Sequence, residues 1–406
     1  MAVQTVDPRP SAPPVVLFQY GFRPFFLLAG LSAPVLVALW LAVLAGVLPL
    51  PGTVAPMSWH AHEMLFGFAG AAIAGFLLTA VPSWTGTVAL AGRPLAALVA
   101  LWLAGRVASL PPVADGWIAT MVDLAFFPAL GAALAAPLLR AGKWRNTVFL
   151  LLLGLMTVGN LLFRLEWHGL TAETQAQGIA LVTGAVLMMI AVIGGRIVPA
   201  FTRNALRARG DRTEVGSPSA VDTVALALTV AVVAGDVVLP GSALPSSTLP
   251  GALALAAASA HAVRLARWRG DRTLHDPLLW ILHLGYAWIV VALGLKAAWL
   301  LGGFAIGATW LHALTAGAFA TMILAVMSRA ALGHTGRTLV APRATAVGYV
   351  LLTLAALVRI AAPQLPFVNY TDGLAVAGVL WTLAFGLFVF DYAPMLLRPR
   401  ADGRPG

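Results

Sequence analysis

The chain has 406 residues, of which 60% are hydrophobic and only 10% are charged, and it contains no cysteine. A soluble domain carries about 25% charged residues, so this composition excludes an ordinary soluble protein and indicates one embedded in lipid. The lack of cysteine excludes disulfides, iron–sulfur clusters and thiolate-linked haem. Imidazole, thioether and carboxylate groups remain as candidate metal ligands.

Twelve apolar segments are long enough to cross a bilayer core, which needs about 20 apolar residues. We therefore predict an all-α integral membrane protein with about 12 transmembrane helices, at 24–48, 58–82, 92–110, 117–139, 146–165, 176–200, 219–239, 249–268, 277–301, 306–330, 342–362 and 372–397. Residues 21–397 would form a single polytopic membrane domain. Disordered tails are expected at 1–20 and 398–406, and residues 1–17 lack the pattern of a cleavable signal peptide.

The net charge of +10 is distributed unevenly among the predicted loops. If the N-terminus is cytoplasmic, the loops on that side hold most of the arginines, including those at 203–212 and 264–272, and the C-terminal tail adds three more. The other side holds little beyond Arg106, Arg164 and Arg359. This positive-inside pattern predicts that both termini are cytoplasmic. It also argues against nucleic acid as a partner.

Matching residues indicate a four-helix unit that occurs three times, in repeats 21–140, 141–269 and 270–397. In predicted helices 2, 6 and 10, a glycine precedes a threonine by 18 residues: Gly67 and Thr85, Gly184 and Thr202, Gly317 and Thr335. His62 and His312 both lie 23 residues before that threonine. Three arcs of four helices resemble the catalytic subunit of haem–copper oxidases and nitric oxide reductases. Helices 6 and 7 here lack histidine, so the copper site of those enzymes does not carry over.

The densest group of candidate ligands is residues 59–64 (WHAHEM), at the predicted outer rim of helix 2. His312 enters helix 10 from the same side, at a similar depth. We predict His62 and His312 as the axial pair of a haem b, with His60 as an alternative axial ligand or a copper ligand. Glu63 would orient an imidazole. In the alternative interpretation, the aromatic and histidine side chains only anchor the helix at the membrane surface.

Three arginines, Arg106, Arg164 and Arg359, depart from the positive-inside pattern on the side of this cluster. Because haem carries two propionates, which need cationic partners when buried, we predict these arginines as propionate ligands. The alternative is that their side chains extend from helix ends towards water.

A second group of histidines lies towards the inner side. His261 near the end of helix 8 and His283 near the start of helix 9 are both roughly 10 Å from the inner surface, and His334 follows helix 10 on the same side. Their matched depth predicts a second metal site. The alternative is hydrogen bonding between helices, which polar side chains in membranes often make.

Several blocks of the sequence together resemble the NnrS family. They are 22–26 (FRPFF), 59–67 (WHAHEMLFG), 75–82 (GFLLTAVP), 194–196 (GGR) with 199–202 (PAFT), 282–288 (LHLGYAW), 312–315 (HALT), 326–329 (VMSR) and 333–337 (GHTGR). The resemblance implies a multi-pass protein of the bacterial inner (cytoplasmic) membrane that contains haem and copper. It also implies a role in the nitric oxide response, in denitrification or resistance to nitrosative stress. It supplies neither a reaction nor a ligand set.

We therefore expect a haem- and copper-bearing protein that binds or processes nitric oxide or nitrosyl-iron at a histidine-ligated metal centre. Its partners would be the lipid bilayer, that ligand and an electron donor. Whether it is an enzyme stays open, because a bis-histidine haem favours electron transfer whereas an open axial position favours gas binding or turnover. The alternative is a polytopic transporter of a metal or nitrosyl-iron species, with helices broken at the midplane. Most glycine and proline interruptions here lie at helix ends instead.

Overall fold

The computed structural model describes residues 15–48, 54–110, 116–142, 144–239, 247–304, 307 and 309–404. Within these residues the fold is all-α, with no strand. Its twelve main helical segments are α1 Phe22–Leu44, α2 Pro56–Thr85, α3 Arg93–Ala108, α4 Trp117–Arg140, α5 Trp144–Trp167, α6 Thr174–Ala208, α7 Ser219–Val238, α8 Thr248–Ala266, α9 Pro277–Gly302, α10 Thr309–His334, α11 Arg343–Ala361 and α12 Tyr370–Leu397. Eleven of them are long and apolar enough to cross a membrane, and α3 has only 16 residues. The predicted all-α integral membrane fold is confirmed.

The interior of the bundle is built mainly from four helices. In an apolar stretch of 18 residues, 83% of the residues of α2 are buried, 67% of those of α10, and 61% of those of α6 and of α9. In the other spans at most 44% are buried. Three of these four, α2, α6 and α10, are the helices that the predicted repeat treats as equivalent. The remaining helices surround them and present apolar side chains outwards, as lipid contact requires.

Helix α6 is longer than its apolar pattern predicts. It continues to Ala208, past the predicted end at residue 200, and its 35 residues span about 52 Å. A bilayer core is about 30 Å thick, so the arginine-rich last turns project beyond it. Helix propensity carries the helix into water where hydropathy alone predicts an end, because arginine is a good helix former.

Helices α2 and α10 share an uncommon local structure. Each changes to a π-helix for 7 residues directly after its histidine, at Glu63–Ala69 behind His62 and at Ala313–Phe319 behind His312. π-Helical turns are rare and are frequently found at functional sites. Their matching positions agree with the sequence register between α2 and α10. Helix α6 is α-helical throughout its length, so it does not share this feature.

The two ends of the described chain lie at the same end of the bundle. Arg23 at the start of α1 donates hydrogen bonds from Nη1 to the carbonyl oxygens of Leu396 and Arg398, at 2.9 and 2.8 Å. This arrangement agrees with an even number of membrane crossings. The three-arc plan of the oxidases stays a prediction.

The tails that we predicted to be disordered are only partly described. Residues 1–14 and 405–406 lie outside the described residues. Residues 398–404 are held against the end of α10: the Ala401 N–H donates to the Thr335 carbonyl at 2.9 Å, and Arg400 donates to the His334 carbonyl at 2.8 Å. These hydrogen bonds give this part of the tail an ordered path, which the polar composition alone does not indicate.

Candidate functional site

His60 and His312 lie near each other at the start of α2 and α10. The His60 ring stacks on Trp40 of α1, with 4.6 Å between ring centroids and 18° between the planes. His60 is also within electrostatic range of His312 and of Arg359 on α11. Arg359 donates from Nη2 to Nε2 of His312 at 3.0 Å. We refer to His60, His312, Arg359 and Trp40 as the outer histidine site.

The contact with Arg359 defines the protonation state of His312. A guanidinium group has only donors, so Nε2 of His312 accepts the hydrogen bond and carries no proton. The fixed positive charge of Arg359 also disfavours a second positive charge on the ring. His312 is therefore a neutral imidazole, which is the form that binds metal ions.

His62 lies in a different environment from His60, because residues two apart on an α-helix differ by about 200° around its axis. The ring is completely buried. Its Nδ1 is 3.0 Å from Oε1 of Glu63, and its Nε2 is 3.1 Å from Oδ2 of Asp123 on α4 and 3.0 Å from Oδ1 of Asn160 on α5. Both ring nitrogens thus contact oxygens of the protein itself. These contacts do not form the predicted axial pair of His62 with His312; His60 lies within electrostatic range of His312.

Two of the three predicted propionate ligands belong to the same buried cluster. Arg106 donates from Nη1 to Oε1 of Glu63 at 2.6 Å and from Nη2 to Oδ1 of Asp123 at 2.5 Å. Nη2 of Arg164 lies 2.8 Å from Oδ2 of Asp123. The two guanidinium groups therefore compensate two carboxylates of the chain, rather than standing ready for haem propionates. The third candidate, Arg359, contacts His312.

We refer to His62, Glu63, Arg106, Asp123, Asn160 and Arg164 as the buried charge cluster. Sequence reasoning did not assign Asp123 or Asn160 to a site. Each lies within an apolar helix, and intramembrane polar residues of this kind are functional candidates by default. Their residue type was a usable signal, but nothing in the sequence pairs them with His62.

Both ring nitrogens of His62 face a carboxylate, Nδ1 at 3.0 Å from Glu63 and Nε2 at 3.1 Å from Asp123. The guanidinium groups of Arg106 and Arg164 balance the charges of these two carboxylates. The cluster thus places ionisable groups of both signs inside the membrane domain, which makes it a candidate functional site.

Two glycines make room for this cluster. A Cβ atom added to Gly67 would lie 3.3 Å from both Cδ and Nη1 of Arg106, and one added to Gly105 would lie 3.3 Å from Oδ1 of Asp123. Gly67, which the sequence register singled out, therefore allows the Arg106 side chain to pass close to α2 and reach Glu63.

His261 belongs to a second polar network, towards the other end of the bundle. Its Nε2 is 2.8 Å from Oγ1 of Thr229 on α7, and its Nδ1 is 2.7 Å from the hydroxyl of Tyr286 on α9. Arg264 donates from Nη1 to the same hydroxyl at 2.7 Å and from Nε to Oδ1 of Asp222 at 2.7 Å. These are hydrogen bonds between helices, which was the alternative interpretation of the inner histidines.

The other two inner histidines have separate surroundings. Nδ1 of His283 lies 3.0 Å from the carbonyl oxygen of Leu279, one turn earlier in its own helix. His334 packs on Tyr20, with 6.0 Å between ring centroids. The predicted second metal site is therefore not formed as one cluster of His261, His283 and His334, because equal depth does not make side chains face one another. Within the described ranges, no group of three or more His, Asp or Glu side chains could hold a metal ion.

A family model described as NnrS protein matches residues 16–400, which is nearly the whole chain and includes every site residue described above. A search of curated proteins finds no significant match.

Proposed function

The chain belongs to the NnrS family of nitric oxide response membrane proteins, and we propose that it protects the cell by binding or processing nitric oxide or nitrosyl-iron at a histidine-ligated metal centre. The observation that carries this proposal is that α2 and α10 each turn π-helical directly behind a histidine, with His312 in contact with Arg359 and His60 within electrostatic range of both. We also propose the bacterial inner membrane as its location, with both termini cytoplasmic. The hydrogen bond from Arg23 to the Leu396 carbonyl places the start of α1 and the end of α12 at the same end of the bundle, which supports two termini on the same side of the membrane.

The outer histidine site fits a metal better than the buried charge cluster does. No hydrogen bond joins the half-buried His60 ring to a described residue, and a metal bound through Nε2 of His312 would displace its contact with Arg359. His62 fits poorly, because iron or copper would have to displace a carboxylate or amide contact from one of its nitrogens. Imidazole suits both copper and haem iron, so we assign His60 and His312 as ligands of copper or haem b.

A metal bound there would supply an open coordination position for the nitrogen of nitric oxide and an exchangeable electron. The protein residues contribute orientation and charge. Stacking on Trp40 holds the plane of the His60 ring, and Arg359 keeps His312 neutral. Nitric oxide dissolves well in lipid, so it would reach a site in the membrane domain without crossing water.

The buried charge cluster includes His62, two residues along α2 from His60. A reaction that consumes protons could use its ionisable side chains, while a simple gas-binding protein would not need them. The cluster is thus the feature on which the choice between binding and turnover depends.

Metal analysis and absorbance spectra of purified variants test the ligand assignment. We expect the wild-type protein to contain iron or copper, and its spectrum to change when nitric oxide is added. Both properties should be lost in His60→Ala and His312→Ala, and retained in His275→Ala, which alters an exposed loop histidine. Loss in His62→Ala with retention in His60→Ala would overturn the assignment to His60. A colourless, metal-free wild-type protein would overturn the proposed function.

One observation favours a second candidate function, a proton-coupled transporter of a metal or nitrosyl-iron species. Buried acidic and basic side chains around a histidine are typical of proton relays in pumps and transporters. This candidate predicts uptake of substrate by proteoliposomes under a pH gradient, lost in Asp123→Asn, and no stoichiometric haem. The wild-type metal content therefore separates the two candidates.

A further inference from the structure

A partly open cavity of about 80 Å³ lies where α1, α2, α6 and α10 meet. Its wall is formed by aliphatic, aromatic and methionine side chains together with one glycine, and it includes none of the histidines discussed above. It is therefore separate from the outer histidine site and from the buried charge cluster.

The wall of this cavity follows the register of the predicted repeat. The glycines Gly67, Gly184 and Gly317 mark the same position in the three helices. Five residues after them, the cavity is lined by Ala72, Met189 and Met322. Six residues after them, it is lined by Ile73, Ile190 and Ile323. The positions nine residues on also line it in each helix. The cavity is thus lined by equivalent positions of the predicted repeat, and Phe26 of α1 adds to its wall.

The chemistry of the wall limits what the cavity can hold. An ordered water needs two to four polar partners, and these side chains offer none, so the wall does not favour bound water. Its volume is about half that of an engineered apolar cavity of roughly 150 Å³ that takes up benzene or xenon, and far below the roughly 300 Å³ of a pocket for larger ligands. A haem or a lipid chain is too large, whereas an uncharged molecule of a few atoms fits.

The cavity also borders the inner polar network. A Cβ atom added to its lining residue Gly194 would lie 3.3 Å from Cδ2 of Tyr286 and 3.5 Å from Cε of Met322. Tyr286 is the side chain whose hydroxyl contacts His261 and Arg264. A guest in the cavity would therefore lie next to the ring that carries this network.

We propose that this cavity is a binding site for a small apolar gas molecule. Nitric oxide belongs to that class, but the site would accept any uncharged gas of this size, and it does not depend on the metal centre proposed above. The thioethers of Met189 and Met322 are polarisable and adaptable, which suits contact with a guest held by dispersion alone.

Xenon is the probe that tests this site, because it binds by dispersion and has no reaction with metals. We expect xenon NMR titration of the full-length protein in nanodiscs to show one saturable site. Ala72→Met gives α2 the side chain that its two equivalents carry and fills the cavity, so xenon affinity should fall at least about tenfold. Ala132→Met adds the same atoms on the exposed face of α4 and should leave xenon affinity unchanged.

A second variant keeps the test decisive if Ala72→Met does not fold. Met322→Ala enlarges the cavity and should allow benzene to bind, which the wild-type cavity is too small to admit. No saturable xenon site in the wild-type protein, equal xenon affinity in a folded Ala72→Met variant, or no uptake of benzene by Met322→Ala would each overturn the proposal. Loss of metal from any variant would not, because that result concerns the outer histidine site.

Discussion

The substitution Asp123→Asn tests the buried charge cluster directly, because it removes one negative charge and preserves the shape of the side chain. Asp123 is 1% exposed, and its carboxylate contacts Arg106, Arg164 and His62. In the variant, only Glu63 would remain to compensate two guanidinium groups. One buried positive charge would then have no counter-charge in the cluster.

The size of the effect follows from the burial of the partners. Removing one member of a buried ion pair costs about 3–5 kcal/mol, because the other charge stays behind uncompensated. The Arg164 side chain is 1% exposed and should show the full penalty, whereas Arg106 is 15% exposed and is partly solvated. The new amide still accepts one hydrogen bond. We therefore expect Asp123→Asn to lower the free energy of unfolding by about 3 kcal/mol.

A double variant separates charge imbalance from lost packing. Arg106→Gln combined with Asp123→Asn restores the balance of one arginine and one carboxylate, so it should be more stable than the sum of the single effects by about 1–2 kcal/mol. Reversible unfolding in lipid bicelles measures both quantities, with Asp372→Asn at the exposed start of α12 as the control. A loss below about 0.5 kcal/mol for Asp123→Asn, or strict additivity in the double variant, would refute the account of the cluster.

Two further predictions concern other parts of the molecule. Gly195→Ala would put its Cβ 1.9 Å from Nη2 of Arg264, so we expect overpacking to lower the free energy of unfolding by about 1–3 kcal/mol. The matched control is Gly194→Ala, whose Cβ would lie 3.3 Å from the nearest atom and which should lower that free energy clearly less in the same assay. Equal losses in the two variants would contradict this explanation. At the C-terminus, the side-chain hydrogen bond from Arg400 lowers the pKa of Asp402 to about 2, below an unfolded value of about 3.9. The stabilisation from this ion pair is therefore present above about pH 4 and is lost as the pH falls towards 2. The chain has no cysteine, so a fluorophore can be attached to a single cysteine introduced into the tail. Its signal should report release of the tail as the pH falls from about 4 to 2. Asp402→Asn should abolish this pH-dependent change. The same transition in Asp402→Asn would show that another group controls it.

Much of the architecture could be predicted from the order of residues alone. The length of each apolar segment determines whether it can cross a bilayer, so the helices were found within a few residues except where helix propensity extends α6 into water. Counting from Gly67 and Gly317 identified α2 and α10 as equivalent, and both helices have a π segment at the same place. These features are local or periodic, and a sequence displays both directly.

The choice of partner for each histidine could not be found in this way. Sequence gives the depth of a residue in the membrane, but contact also requires that the side chain lie at the right angle around its helix. His60 and His62 have nearly equal depth, yet one stacks on Trp40 and the other contacts Asp123, 61 residues away, and Asn160, 98 residues away. Only the packing of the surrounding helices determines which neighbour each face of α2 meets. Composition and periodicity thus specify which segments enter the membrane, whereas the rotation and position of those segments decide which polar groups come together there.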